Sequence, residues 1–370
     1  MTPTRRWSCV AVALALLIGV PIGIRVLPRG DVTITASALL DRIEGSRDLS
    51  YSGYIETLGT LQLPVADNFT DVGELFGERT RIRAWWRDAD EWRVDKLLAT
   101  GETDIFRDAS GTTLWDYEKS RLTRTVDADI RLPRASDLLP PELAHRLLAD
   151  VDRADLSRLP TERIAGRDAP GLRLSPGASQ SSVDHVDVWA DPDTGLAVRV
   201  EVFAKGAETA ALTTRFMSLS LEKPSLSTTS FSIAPGAEVE YDEVIDIAAA
   251  ANLYAPLKPP NVLAGLSRSS SSRKLRAVGV YGAGVTQLIA IPLGDRAAAP
   301  LREKLRLTPG AQALVAGDFL QVGPLNVLLT RFRWIDSGWL ITGTVTRATL
   351  LRAGRQLDGE IVYLGSRDPP

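Results

Sequence analysis

The chain has 370 residues, enough for two ordinary domains, with 43 Lys and Arg against 46 Asp and Glu and a formal net charge of −3. The two signs are interspersed and no basic stripe forms, which argues against nucleic acid as a partner. One cysteine, Cys9, and two histidines, His145 and His185, leave no disulfide framework, no thiol site in the main body and no histidine–cysteine cluster with metal-ligand spacing.

Arg5 and Arg6 precede an apolar run from Trp7 to Ile24. Its roughly 18 residues sit at the short end of what spans a bilayer. Positive charge ahead of such a run keeps the N-terminus in the cytoplasm and sends the rest across. A cleaved signal peptide has the same basic start, a shorter apolar core and small residues after it. Here the run closes on Ile24-Arg25-Val26-Leu27-Pro28-Arg29, bulky and charged where small residues are needed. The pattern favours an uncleaved anchor within 1–30; a cleaved signal and a buried core helix are the alternatives. Cys9 opens the run rather than closing it, unlike a lipoprotein cysteine. The expectation is a single-pass protein of the cytoplasmic membrane, touching it through residues 7–24, with its folded domains outside, on the cell surface or in the periplasm.

An amphipathic helix follows over Ser37–Ile43, with Leu39, Leu40 and Ile43 at helical spacing and Ser37 as cap. Tyr51–Leu63, Thr80–Trp86, Glu91–Leu98, Thr103–Asp108, Thr112–Tyr117 and Arg121–Val126 then read as short strands between polar turns, the signature of an antiparallel meander. Alternation sets Ile82, Ala84 and Trp86 on one face and Arg81, Arg83 and Trp85 on the other. Such a sheet can leave one face to water or to a ligand. Leu138, Leu139, Leu143, Leu147 and Leu148 predict a helix over 137–150, with Pro140-Pro141 near its start. Strands resume at Thr161–Ala165, Ala169–Leu174, Val183–Ala190, Ala197–Ala204 and Thr209–Leu221. Gly177–Ser182 reads as a loose loop and Asp191-Pro192-Asp193-Thr194-Gly195 as a tight turn.

Residues 236–273 read as a linker, with an acidic patch from Glu238 to Asp246, three prolines and the low-complexity stretch Ser267–Ser272. The remainder, 274–370, reads as a small α+β domain. It has a hairpin of Leu275–Tyr281 and Val285–Pro292 around Gly282-Ala283-Gly284, a helix over Ala297–Leu305, and strands at Ala313–Ala316, Leu325–Trp334 and Trp339–Thr344. A last helix over Arg347–Leu357 is capped by Thr346.

No Gly-x-Ser-x-Gly elbow, Walker loop or zincin helix occurs. Gly279–Gly284 lacks the third glycine of a nucleotide loop and is followed by a strand, so a hairpin turn explains it. Asp184-His185-Val186-Asp187 puts His185 and Asp187 on one face, where a weak metal site competes with a plain solvated strand edge. Asp191–Gly195 lacks the downstream acidic ligands of a calcium loop. The chain therefore reads as a non-enzyme without cofactor or metal. Trp85, Trp86, Trp92 and Trp115 crowd into the meander, where they either line an apolar pocket or fill a core.

The strands and turn of Asp187–Val202, with the opening helix Ala38–Ile43 leading into Leu49-Ser50-Tyr51-Ser52-Gly53, resemble the LolA-like superfamily. That superfamily includes the lipoprotein carriers and the N-terminal domain of the RseB/MucB sigma-factor regulators. Ala277–Ile291 and Trp339–Leu351 resemble the second domain of the regulators, so the likeness spans about residues 35–358. It implies an α+β fold: a LolA-like domain over 31–235, a curved antiparallel half-barrel with helices at its mouth, and a small C-terminal domain of RseB/MucB type. It also implies a concave face that binds a lipid, a lipoprotein acyl chain or another apolar ligand, and an anti-sigma factor or other membrane protein as partner. A lipid or lipoprotein carrier is the alternative. The RseB/MucB proteins are soluble and periplasmic, whereas this chain carries an anchor-like segment. The family brings no catalytic residues. The candidate pocket residues are Ile82, Trp86, Trp92, Val94, Leu97, Phe106, Trp115, Val188, Val198 and Val200; alternation alone does not say which face is concave.

Overall fold

The computed structural model describes residues 33–61, 70–98, 101–125, 130–232, 238–241, 251, 257–270, 275–331, 338–359 and 362–363. The anchor expected at 7–24 lies outside them. Among the described residues, no helix is long and apolar enough to cross a membrane.

Two meanders join into one large sheet. The first contains β1 (Tyr51–Gly59), β2 (Arg79–Asp88), β3 (Glu91–Leu97), β4 (Glu102–Asp108), β5 (Gly111–Asp116) and β6 (Arg121–Thr125). The second contains β7 (Leu156–Ile164), β8 (Arg167–Leu174), β9 (Val183–Ala190), β10 (Ala197–Ala204) and β11 (Leu212–Ser220). β11 returns to pair with β1, and β12 (Glu238–Tyr241) adds to β6, giving the order β12-β6-β5-β4-β3-β2-β1-β11-β10-β9-β8-β7. Every pairing is antiparallel except that of β12 with β6, so four residues of the stretch read as linker form a parallel edge strand. The sheet is open and curved.

Short helices cover its inner face. Thr35, rather than Ser37, caps α1 (Ala36–Glu44), its hydroxyl accepting from the Ala38 N–H at 3.2 Å. α2 (Thr70–Gly77) lies between β1 and β2 and has no counterpart in the sequence reading. The helix expected over 137–150 is a 3-10 turn, Ala135–Leu138, then α3 (Pro140–Leu147), with extended Leu139 between them. Pro140 and Pro141 fall in the first turn, where their missing N–H groups interrupt no helical bond. Leu39, Leu40 and Ile43 of α1 join Leu138, Leu139, Leu143 and Ala144 against Tyr51, Ile55, Ile82 and Trp86 of the sheet. After β11, the chain crosses the outer face through α4 (Leu226–Thr229). Pro224 accepts from Arg87, and Thr229 donates to Glu91 at 2.9 Å.

Further on come β13 (Leu257–Lys258), β14 (Val262–Leu263) and β15 (Leu266–Ser267). A second sheet follows, built from β16 (Gly279–Ala283), β17 (Thr286–Leu293), β18 (Gln312–Leu314), β19 (Gly317–Val322), β20 (Leu325–Thr330) and β21 (Gly338–Gly343). Its antiparallel order is β16-β17-β21-β20-β19-β18. α5 (Asp295–Leu307) and α6 (Arg347–Gly359) pack on it, and β22 (Val362–Tyr363) pairs with β13. The Gly279–Gly284 segment is a hairpin, as its sequence predicts, and Thr346 bonds the Thr349 N–H at 3.3 Å.

The loop at 177–182 is fixed between the two sheets. The Ser182 N–H donates to Thr344 at 3.1 Å, the Thr346 N–H donates to Gln180 at 2.7 Å, and Ser181 bridges Val345. Ser181 is fully buried.

The Asp191–Gly195 turn ties β9 and β10 to α1. The Asp191 carboxylate accepts from the Asp193 and Thr194 N–H groups at 3.2 and 2.9 Å, and Pro192 accepts from Arg42. Gly195 sits at φ +77°, and a Cβ there would meet the Arg42 carbonyl. We predict that Gly195→Ala costs about 1–3 kcal/mol of stability, read as a lower urea midpoint.

Candidate functional site

The register divides the ten candidate pocket residues between two faces. Ile82, Trp86, Trp92, Val94, Val188, Val198 and Val200 join one buried cluster on the inner face. There Trp92 stacks on Trp86 at 5.3 Å, Trp86 on Tyr51 at 5.9 Å, and Phe216 meets Tyr51 edge-on at 5.7 Å. Leu97 stands opposite Arg81, Phe106 opposite Arg93, and Trp115 opposite Asp104, which places all three on the outer face. Phe106, Trp115 and Leu122 form their own cluster, closed by Phe231 at ring distances of 5.0 Å from Phe106 and 5.9 Å from Trp115. The ten residues therefore do not line one cavity.

The inner face holds two unpartnered hydroxyls in a largely apolar layer. The hydroxyls of Tyr51 and Thr57, residues 1% and 0% exposed, have no hydrogen-bond partner among the described residues. Burial, assisted by the Glu142 charge, holds the Tyr51 hydroxyl well above the usual phenol range. An unpartnered buried hydroxyl costs about 1–3 kcal/mol and is a ready contact for a polar group entering the layer. Neither residue was among the candidates. Tyr51 opens β1, and only its pairing with Trp86 reveals that it belongs to the aromatic stack.

His145 does not form a catalytic pair with Ser46. Its Nε2 lies 2.8 Å from the Ile43 carbonyl and 3.1 Å from the Ser46 hydroxyl, which itself donates to Ile43 at 2.7 Å. A nitrogen that donates to a carbonyl cannot take a serine proton. The contact ties α3 to the end of α1, and burial depresses the imidazole's pKa. At the other histidine, Arg173 takes both oxygens of Asp187 at 2.7 and 2.6 Å. His185 pairs with Asp184 at 2.7 Å, lies 3.8 Å from Asp187 and stacks on Phe203.

The outer face of β2–β5 carries the densest charge. Arg93 donates to Asp95 at 2.6 Å and to Asp104 at 2.7 Å; Arg83 donates to Asp95 at 3.0 Å and to Glu102 at 2.6 Å. Arg93 also lies over the rings of Trp85 and Phe106, at 5.2 and 5.0 Å. Oxygens of Asp95, Glu102 and Asp104 come within 4.8 Å of one another. Two guanidiniums already occupy the cation positions, leaving one negative charge for a single proton to neutralise. Burial, followed by repulsion from Asp95, pushes the Asp104 carboxyl up to about 8. Its Oδ1, unpartnered among the described residues, is where such a proton would sit. The arrangement suits a proton better than a metal ion.

No family model matches the chain, and no curated protein does. Among solved structures it resembles MucB. The MucA/MucB complex of Pseudomonas aeruginosa is 19% identical, over 86% of this chain and 96% of that one, with a TM-score of 0.49. MucB in complex with MucA(peri) is 18% identical, over 86% and 97%, with a TM-score of 0.48. A LolA superfamily protein from Nitrosomonas europaea is 12% identical, over 54% and 99%, with a TM-score of 0.24. Such identities say nothing of which side chains act.

A carboxyl whose folded pKa is raised gives stability that is complete below its unfolded value, near 3.8 for Asp104, and lost as pH rises through about 8. We predict that urea stability declines from pH 5 to pH 9 and that Asp104→Asn reduces the decline. An equally steep decline in the variant would remove the proton from Asp104.

Proposed function

We propose that this chain is an extracytoplasmic regulatory or sensor protein of RseB/MucB type, held at the cytoplasmic membrane by residues 7–24. In this reading 31–235 is the ligand-binding domain, 236–273 the connection and 274–370 the partner-binding domain. The ligand is apolar or a lipid, and it enters the inner face. One observation carries this: an aromatic stack with unpartnered Tyr51 and Thr57 hydroxyls, roofed by the short helices α1 and α3. Moving two short helices is a smaller rearrangement than opening a sheet.

The partner, a membrane protein such as an anti-sigma factor, follows from the sequence resemblance. A ligand changes what that partner sees only if it binds two arrangements of the chain with different affinity. The junction of Gln180–Ser182 with Thr344–Thr346 is the natural place for two arrangements to differ. A lipid or lipoprotein carrier would use the same inner face, but a shuttle must leave the membrane, which an uncleaved anchor forbids.

Binding of a fluorescent fatty-acid analogue tests the ligand half. Trp86→Ala should weaken it about tenfold or more, and Trp115→Ala, on the opposite face, should leave it unchanged. A core Trp→Ala costs about 3–5 kcal/mol, so circular dichroism must show both variants folded. Tyr51→Phe supplies a gentler probe, keeping the ring stack and changing only the preference for a ligand with a polar head. Identical binding by folded Trp86 and Trp115 variants would sink the inner-face assignment. A pull-down of the full chain from detergent-solubilised membranes, read for proteins and lipids by mass spectrometry, tests the partner half. Lipid or lipoprotein alone would favour the carrier.

A further inference from the structure

The outer face of the large sheet has a patch that neither the inner-face ligand nor the junction uses. β2 presents Arg79 and Arg81 to solvent, and β11 presents Arg215. Glu56 on β1 lies between them, opposite Arg81 on one side and Arg215 on the other. It pairs with Arg79 at 3.8 Å and with Arg215 at 3.2 Å. Arg81 has no ion pair among the described residues. Positive charge is thus in excess here, in a chain whose net charge is −3.

Two large apolar side chains stand in the same patch. Leu58, opposite Arg79, is 45% exposed. Met217, 47% exposed, is the extra residue where the β1–β11 register shifts at Tyr54/Ile55. The bulge turns Met217 outward while its neighbour Phe216 stays in the core. Leucine and methionine are not needed to hold a soluble polyanion, which arginines bind alone. They suit a bilayer, where guanidiniums sit among the phosphates and short apolar chains dip beneath the headgroups.

We propose that this face docks on an anionic phospholipid surface, with Arg79, Arg81 and Arg215 as the electrostatic contacts and Leu58 and Met217 as the inserted ones. The docking depends on neither the inner-face ligand nor the anchor. It would hold the large sheet with its helix-covered face away from the lipid.

The test uses the full chain with vesicles of phosphatidylcholine, with and without phosphatidylglycerol. Cys9→Ser removes the native thiol, and an environment-sensitive fluorophore is placed at Met217→Cys. The same label at Leu307→Cys, on α5 and 78% exposed, is the control. With phosphatidylglycerol the label at 217 should shift to the blue and be quenched by lipid-borne quenchers, and the label at 307 should not. Each arginine near an anionic surface contributes about fivefold to partitioning, so Arg79→Ser, Arg81→Ser and Arg215→Ser together should reduce the 217 signal about a hundredfold. Raising the salt should reduce it too. Equal quenching at 217 and 307, or a 217 signal indifferent to phosphatidylglycerol, would overturn the proposal. So would protection of 217 by a soluble polyanion without protection by vesicles, which would reassign the patch to polyanions. Loss of fatty-acid binding leaves this readout untouched, so the two readings fail separately.

Discussion

The large sheet depends on β1 pairing with β11. β1 is already the neighbour of β2 in the first meander; its other edge waits for a strand some 160 residues later in the chain, as the match of Glu56 with Arg215 shows. Without it the two meanders would be separate sheets of six and five strands, with no continuous inner face between them. With it, Phe216 reaches the Tyr51 ring and Thr214 bonds the Leu138 carbonyl at 2.7 Å, so the 3-10 turn that leads into α3, and lies between the meanders in sequence, is fastened at their seam. The same pairing forms the bulge that exposes Met217.

The two faces of this sheet solve opposite problems. The inner face removes apolar area from water and tolerates a few unmatched hydroxyls. The outer face holds charge in ladders: Arg199 with Glu201 and Glu162, Arg173 with Asp187, and the Arg83–Arg93 group with its three carboxyls. Exposed pairs of this kind add little stability each. Beside Arg93, however, Asp95 and Asp104 are shielded from water, and the network there must balance its own charge. That is why a proton matters at this one place in the ladder.

Alternation made most strands legible, since β2 buries every second residue. It failed where both faces are covered. β4 buries Asp104, Ile105 and Phe106 in succession, because Phe231 roofs the outer side, so nothing in that strand alone says which way Phe106 points. Face membership across strands needs register: within the first meander it is set by β2–β3, β3–β4 and β4–β5, and between the meanders by β1–β11, a contact invisible in local sequence. β19 escaped notice for a related reason. Its Asp318 looks like a turn residue until Arg302 and Arg306 are seen to bind it at 3.1 and 2.8 Å. The loop at 177–182 has a flexible composition, yet it is pinned by backbone bonds to residues over 160 positions away.

The late closure of β1 has a consequence for biosynthesis. A chain that emerges N-terminus first, from a ribosome or a translocation pore, presents the first meander long before β11 arrives. During that interval one side of β1 offers unpaired amide and carbonyl groups, and Tyr51 and Trp86 lack their Phe216 neighbour. Exposed strand edges beside uncovered aromatic rings are where nascent chains associate wrongly. The interval ends only when about 160 more residues have emerged, as the separation of Glu56 from Arg215 sets it. The rate of delivery, as much as the final energy, therefore decides how much of this protein reaches its folded state.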